Sequence, residues 1–161
     1  MRVLLQRVIQ ASVTIDGHTI ARIESGLVLL VGIASDDTYE DVRYLLEKVV
    51  NLRIFPDDHG RFDVSVLESK AALLLVSQFT LYADTRKGRR PGFTSAAPPE
   101  QAEPMFERFV RMAQETGLQV ETGRFQEHML VEIHNDGPVA IMLDSADRHR
   151  SRSGGAKGPL G

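Results

Sequence analysis

The chain has 161 residues, 42% of them hydrophobic and 25% charged, which sets an expectation of one globular domain with a core of its own. It contains no cysteine, which excludes disulfides and thiolate metal sites and fits a reducing, cytoplasmic setting. A net charge of −3 argues against a molecule-wide attraction to polyanions, so any nucleic-acid contact must be local.

Residues 3–15 alternate in polarity and end at Asp16-Gly17, a two-residue hairpin signal, with a partner strand expected over 18–24. Leu27 to Ile33 is almost wholly apolar, as a strand buried on both faces would be. Asp37 and Glu40 have capping-box spacing. Behind them Val42, Leu45, Leu46, Val49 and Val50 recur at helical period, so a helix is expected over 37–50. Leu52 to Phe55 predicts a short strand, and Pro56 to Gly60 a turn. Ala71 to Val76 predicts a second buried strand that delivers Ser77-Gln78-Phe79-Thr80 at its exit.

Residues 84–99, rich in Gly, Pro and basic side chains, read as a long loop. A second amphipathic helix carries Ala102, Phe106, Phe109, Val110 and Ala113 and stops at Gly117. Pro104 implies that this helix begins near it or is kinked in its first turn. Strands are expected over 119–122, 128–134 and 138–143, the last two joined by a turn at Asn135-Asp136-Gly137-Pro138-Val139. This is an α+β domain over 1–145. A basic tail over 146–161, with Arg148, Arg150, Arg152 and Lys157 among Ser and Gly, is expected to be disordered. No apolar run approaches the roughly 18 residues of a membrane span. Arg7 interrupts the stretch that a signal peptide would continue, so secretion is not expected.

Chemistry is harder to read from the residues alone. No glycine-flanked serine elbow, phosphate-binding P-loop or dinucleotide fingerprint occurs, and no histidine pair has helical zinc spacing. His128 and His134 read as polar ends of a strand. Ser77 to Thr80 groups two hydroxyls and an amide where a buried strand surfaces, which suits a binding site and equally suits a strand end bonding its own backbone. Gly137-Pro138 reads as part of an ordinary turn with a trans peptide. Arg86-Lys87-Gly88-Arg89-Arg90 is either a solvated loop or a local phosphate contact.

Six segments in order add to this reading: Gln6-Arg7-Val8, Asn51 to Phe55, Val76 to Leu81, Lys87 to Pro91, Thr122 to Phe125 and Asn135 to Val139. Together they resemble the D-aminoacyl-tRNA deacylase family over roughly residues 1–145. The resemblance implies a β-barrel-like, homodimeric α+β fold with two main helices, and an esterase that frees a D-amino acid from tRNA. It leaves mischarged glycyl-tRNA open as a further substrate. It implies that Ser77, Gln78, Phe79 and Thr80 line the catalytic pocket for the aminoacylated 3′ end. Gly137 and Pro138, held cis and lent to the partner subunit, would exclude L substrates. Arg7 would support that loop, Phe125 and Met129 would flank the adenine, and Arg86, Lys87, Arg89 and Arg90 would meet tRNA phosphates.

The implied mechanism uses no metal or cofactor. The terminal 2′-hydroxyl of the tRNA assists water attack, backbone groups near Gln78 and Phe79 hold the oxyanion, and Thr80 as nucleophile is the rival. The chain departs from the family pattern at Ala140, where Thr is usual, and at Gly92, where Ser is usual. Two other readings stay open: a non-catalytic RNA-binding protein on the same fold, and an interaction protein whose apolar interface serves assembly alone.

Overall fold

The computed structural model describes residues 1–150. The alternating N-terminal segment forms β1 (Arg2–Ile15), which turns at Asp16 and Gly17 into β2 (His18–Ile23). Both turn residues have positive φ, 49° and 78°, as the tight hairpin geometry requires. β3 (Gly26–Gly32) pairs antiparallel with the first half of β1, and β2 pairs with its second half. β6 (Ala72–Ser77) lies parallel to β3, and β7 (Val120–Thr122) parallel to β6. A long last strand, β8 (Leu130–Asp144), pairs with β1 along both of its halves. These six strands form one sheet, and a separate small ribbon consists of β4 (Phe55–Pro56) and β5 (Phe62–Val64).

The uniform apolarity of β3 and β6 has a simple cause. Leu27, Leu29, Val31, Leu73 and Leu75 point into a core shared with the helices, while Val28, Leu74 and Val76 point into a second core. That second core, with Val8, Ala11, Val13, Ala21 and Ile23, fills the concave side of the curled, barrel-like sheet. Two long helices, α1 (Tyr39–Asn51) and α3 (Pro99–Gln114), cover the other side, and a one-turn helix, α2 (Val66–Ser69), was not expected.

Four further expectations are corrected. The cap of α1 is Thr38 with Asp41, whose carboxylate accepts from the Thr38 N–H at 2.8 Å; Asp37 instead accepts from the Ala34 N–H at 2.6 Å and contacts the Met1 amino group. Pro104 lies inside α3, which starts five residues earlier behind Pro98, so Glu100 loses one helical hydrogen bond while Phe106 and Phe109 keep the buried face continuous. The segment Asn135 to Val139 does not reverse the chain. Asn135 opposes Val8 and Ala140 opposes Gln6, so both flanks run antiparallel to β1 and residues 136–139 bulge out against Arg7 alone.

Finally, the region expected as a loose tail opens with a 3-10 turn, Ser145–His149. Ser145 is buried there and its N–H donates to Met1 O at 2.9 Å, while Arg148 lies 3.5 Å from Asp41. Residues 151–161 of that expected tail lie outside the described residues. Among the described residues no helix is long and apolar enough to cross a membrane.

Candidate active site

β6 ends at Ser77, opposite Val31 of β3, and the Gln78 N–H extends the ladder by one bond to Val31 O at 2.8 Å. The chain then tightens into a 3-10 turn, Phe79–Tyr82, instead of continuing as a strand. Gly32 makes room for it: a Cβ there would stand 3.0 Å from the Leu81 Cβ and 3.1 Å from Gln78 O. Because the first amides of a helical turn have no partner within it, the Phe79 N–H starts the turn uncommitted by the helix, whereas that of Gln78 is taken. The Gln78 side-chain amide donates to the Thr80 hydroxyl.

Beside this turn is a cavity of about 670 Å³, within the range of small-molecule sites. Ser77, Gln78 and Phe79 form one wall, and Phe125 and Met129 stand on another, so five of the expected site residues meet there. Thr80 does not line it. Gly123 lets Met129 lie close, since a Cβ would meet its Sδ at 2.7 Å, and that sulfur accepts from the Arg124 N–H at 3.4 Å. Phe125 rests against Phe106 of α3 with ring centroids 6.3 Å apart.

Sequence reasoning missed other walls. Phe93, leaving the basic loop, meets Phe79 edge-on at 4.9 Å. Ala97 to Pro99 and Ala102 bring in the start of α3. Only the small apolar character of that stretch hinted at a wall. His128, set aside as a strand end, also lines the cavity.

The basic loop is closed at its base, where Asp84 and Gly92 exchange both main-chain hydrogen bonds at 2.8 and 2.9 Å. Arg86 forks onto the Asp84 carboxylate at 2.9 and 2.7 Å. That guanidinium holds the Asp84 carboxyl below its ordinary range, and the carboxylate raises Arg86 in return. The positive charge of Arg86 is therefore already compensated, whereas Lys87, Arg89 and Arg90 stand exposed. A Cβ at Gly92 would meet nothing within 4 Å, and the loop closes through backbone, so the missing serine costs the closure nothing.

The bulge in β8 is tightly built. The Gly137-Pro138 peptide is cis, correcting the trans turn read from the residues alone. The Asn135 side chain clasps the base, donating to Val139 O at 2.9 Å and accepting from Val139 N at 2.7 Å, and also donates to Gln6 Oε1 at 3.0 Å. Ala140 takes no part in that clasp. Arg7, buried to 7% exposure, donates through Nε to Asp136 O at 3.2 Å, and the Asp136 carboxylate is equally near. Gly137 and Pro138 are exposed, and neither lines the cavity of its own chain.

The family described as D-Tyr-tRNA(Tyr) deacylase matches residues 4–144. The chain belongs to that family. As a member of this deacylase family, a family of hydrolases, it is 54% identical over 145 residues to the D-aminoacyl-tRNA deacylase of Kosmotoga olearia, covering 90% of this chain and 97% of that protein. It is 50% identical over 146 residues to the D-aminoacyl-tRNA deacylase of Clostridioides difficile, covering 91% and 98%. Among solved structures, the c-Myc DNA unwinding element binding protein is 39% identical with a TM-score of 0.85, covering 89% of this deacylase-family chain and 98% of its own. A probable eukaryotic D-amino acid tRNA deacylase, 18% identical with a TM-score of 0.79 over 88% of this chain and 97% of that one, shares the fold.

Proposed function

We propose that this protein hydrolyses the ester of D-aminoacyl-tRNA as a homodimer, one copy's Gly137-Pro138 turn closing the other's cavity. The observation that carries the reading is a separation within one chain. The cavity opens on Ser77, Gln78 and Phe79, while the braced turn stands exposed outside it. A turn that filters substrates must then act on the cavity of a second copy. Exposed apolar side chains favour such a partner: Ile9 and Leu130, on the paired strands that carry the turn, are 59% and 62% exposed, and Phe79 at the cavity is 58% exposed.

In this reading the terminal adenosine sits between Phe125 and Met129, and the ester carbonyl faces the Phe79 N–H. Water adds to the carbonyl carbon, assisted by the neighbouring 2′-hydroxyl. The tetrahedral oxyanion is held by that amide, a preorganised donor of a kind worth about 2.7–4 kcal/mol elsewhere. The bond to the ribose 3′-oxygen then breaks, a proton passes to that oxygen, and the D-amino acid and tRNA leave. The carbonyls of the partner's turn receive the substrate ammonium and leave no room for an L side chain. Glycine carries no side chain to exclude, so mischarged glycyl-tRNA passes the same filter. Lys87, Arg89 and Arg90 meet phosphates of the acceptor strand.

Paired deacylation assays on D- and L-tyrosyl-tRNA test the reading. The D ester is expected to be cleaved on the order of a hundredfold faster or more. Tight tRNA binding with no hydrolysis of either would support a non-catalytic RNA-binding protein instead. Within the reading, Thr80→Ala is expected to cost less than about tenfold in turnover, because its hydroxyl lies off the cavity wall. A collapse of kcat with intact binding would make that hydroxyl the nucleophile.

A further inference from the structure

The β4–β5 ribbon is anchored in the main core by Phe55, which is buried there, and by Val64, which packs against it, but that anchorage does not involve Phe62. Two or three residues per strand are too few for independent stability. The ribbon is nevertheless stapled from several sides. Asp57 accepts from the His59 and Arg61 N–H groups at 2.8 and 2.9 Å and pairs with the Arg61 guanidinium at 2.9 Å. Arg53 pairs with Asp63 at 2.9 Å and with Glu68 of α2 at 3.3 Å. On this ribbon Phe62 is 55% exposed, so burial of its ring does not account for it.

Through Phe62 the ribbon also touches Arg7. The Arg7 Nη1 donates to Ile54 O, beside β4, at 2.6 Å, and the Phe62 ring lies 5.3 Å from the guanidinium carbon. From its Nε the same guanidinium holds Asp136, and its Nη2 would be 3.3 Å from a Cβ on Gly137. A guanidinium is a rigid planar fork, so partners on two edges and an aromatic ring fix both its position and its plane. Arg7 thereby transmits the placement of the ribbon to the turn.

We infer that the β4–β5 ribbon sets the orientation of the Gly137-Pro138 turn through Arg7, and that Phe62 is a positioning residue for discrimination between D and L substrates. The inference rests on the deacylase reading above. Phe62 touches no substrate in this scheme. Its removal frees the guanidinium to tilt, the turn follows, and a misplacement of about an ångström is worth up to a hundredfold in such sites.

The test compares Phe62→Ala, Phe62→Leu and Phe62→Tyr with the wild type on D- and L-tyrosyl-tRNA, with melting temperature and oligomeric state measured alongside. Phe62→Ala and Phe62→Leu are expected to lower the D/L ratio of kcat/KM by about tenfold to a hundredfold, chiefly through faster L hydrolysis, and Phe62→Tyr is expected to restore it. If the alanine variant does not fold, the Leu and Tyr pair carries the same contrast, since both keep apolar bulk and only one keeps the ring. An unchanged ratio in a selective enzyme would overturn the inference and leave the deacylase reading standing. So would a loss of selectivity that tracks loss of the dimer, which would make Phe62 an assembly residue. A wild-type protein that does not favour the D ester would overturn the deacylase reading, and the inference with it.

Discussion

Gly26→Ala is expected to cost about 3–5 kcal/mol of stability, placing it among the severe single substitutions. Gly26 is buried at the head of β3, opposite Val8 on one side and Ala72 on the other. A Cβ there would fall 2.1 Å from Ala72 O, 2.8 Å from its carbonyl carbon and 3.0 Å from its nitrogen. Those are backbone atoms of the central parallel pair, so no side chain can swing aside to relieve the overlap. β3 and β6 must separate locally, and both cores, which share these strands, lose contact together. Urea unfolding should show a lower midpoint with an unchanged slope, and melting should fall by roughly 8–15 °C. A loss below about 1 kcal/mol would mean that the two strands do not approach this closely.

Gly137→Ala should instead spare the fold and damage the function. The φ of Gly137 is +137°, a conformation that L residues rarely adopt, and a Cβ would meet Val139 Cγ2 at 2.7 Å and Val139 N at 3.1 Å. The strain of about 1–3 kcal/mol falls on an exposed turn, so melting should move by only a few degrees. Relief of the overlap pushes the turn away from Arg7 and distorts the carbonyls assigned to the substrate ammonium. We expect D-tyrosyl-tRNA turnover to fall by about a hundredfold, with a smaller change for any residual L hydrolysis. Wild-type rates for both esters in this variant would remove the case for selection by backbone at this turn.

Much of the fold was legible because its signals are local. Asp16-Gly17 demands positive φ, and the structure provides it; Val42 to Val50 can bury one face only as a helix. The two wholly apolar strands announced burial on both sides. Failures arose where distant partners decide. Asn135 to Val139 has the chemistry of a turn whether or not the chain reverses, and only pairing with β1, more than a hundred residues away, distinguishes the cases. Pro104 was overruled by the packing of α3, and the choice of Thr38 over Asp37 as cap depended on what else Asp37 could reach.

The site was less legible than the fold. Taken alone, Ser77 to Thr80 was a polar strand exit, and only the family likeness gave it a reaction. Arg7 illustrates the limit well: the family likeness made it a support of the turn, but nothing in the residues alone pointed to Ile54 and Phe62 as its other neighbours. His128 was passed over because the strand expected from 128 begins only at Leu130, which leaves His128 in the connection that borders the cavity.

The excursion in β8 has a consequence for how the Gly137-Pro138 turn can vary. Four residues leave the strand opposite a single one, and a side-chain clip on Val139 restores the register before Ala140. The outward segment is thus an insertion port that leaves the pairing on either side intact, while Arg7 of β1 and Asn135 hold its base. Its length and composition can drift, by evolution or by loop grafting, while every pairing in the two flanking half-strands stays where it is.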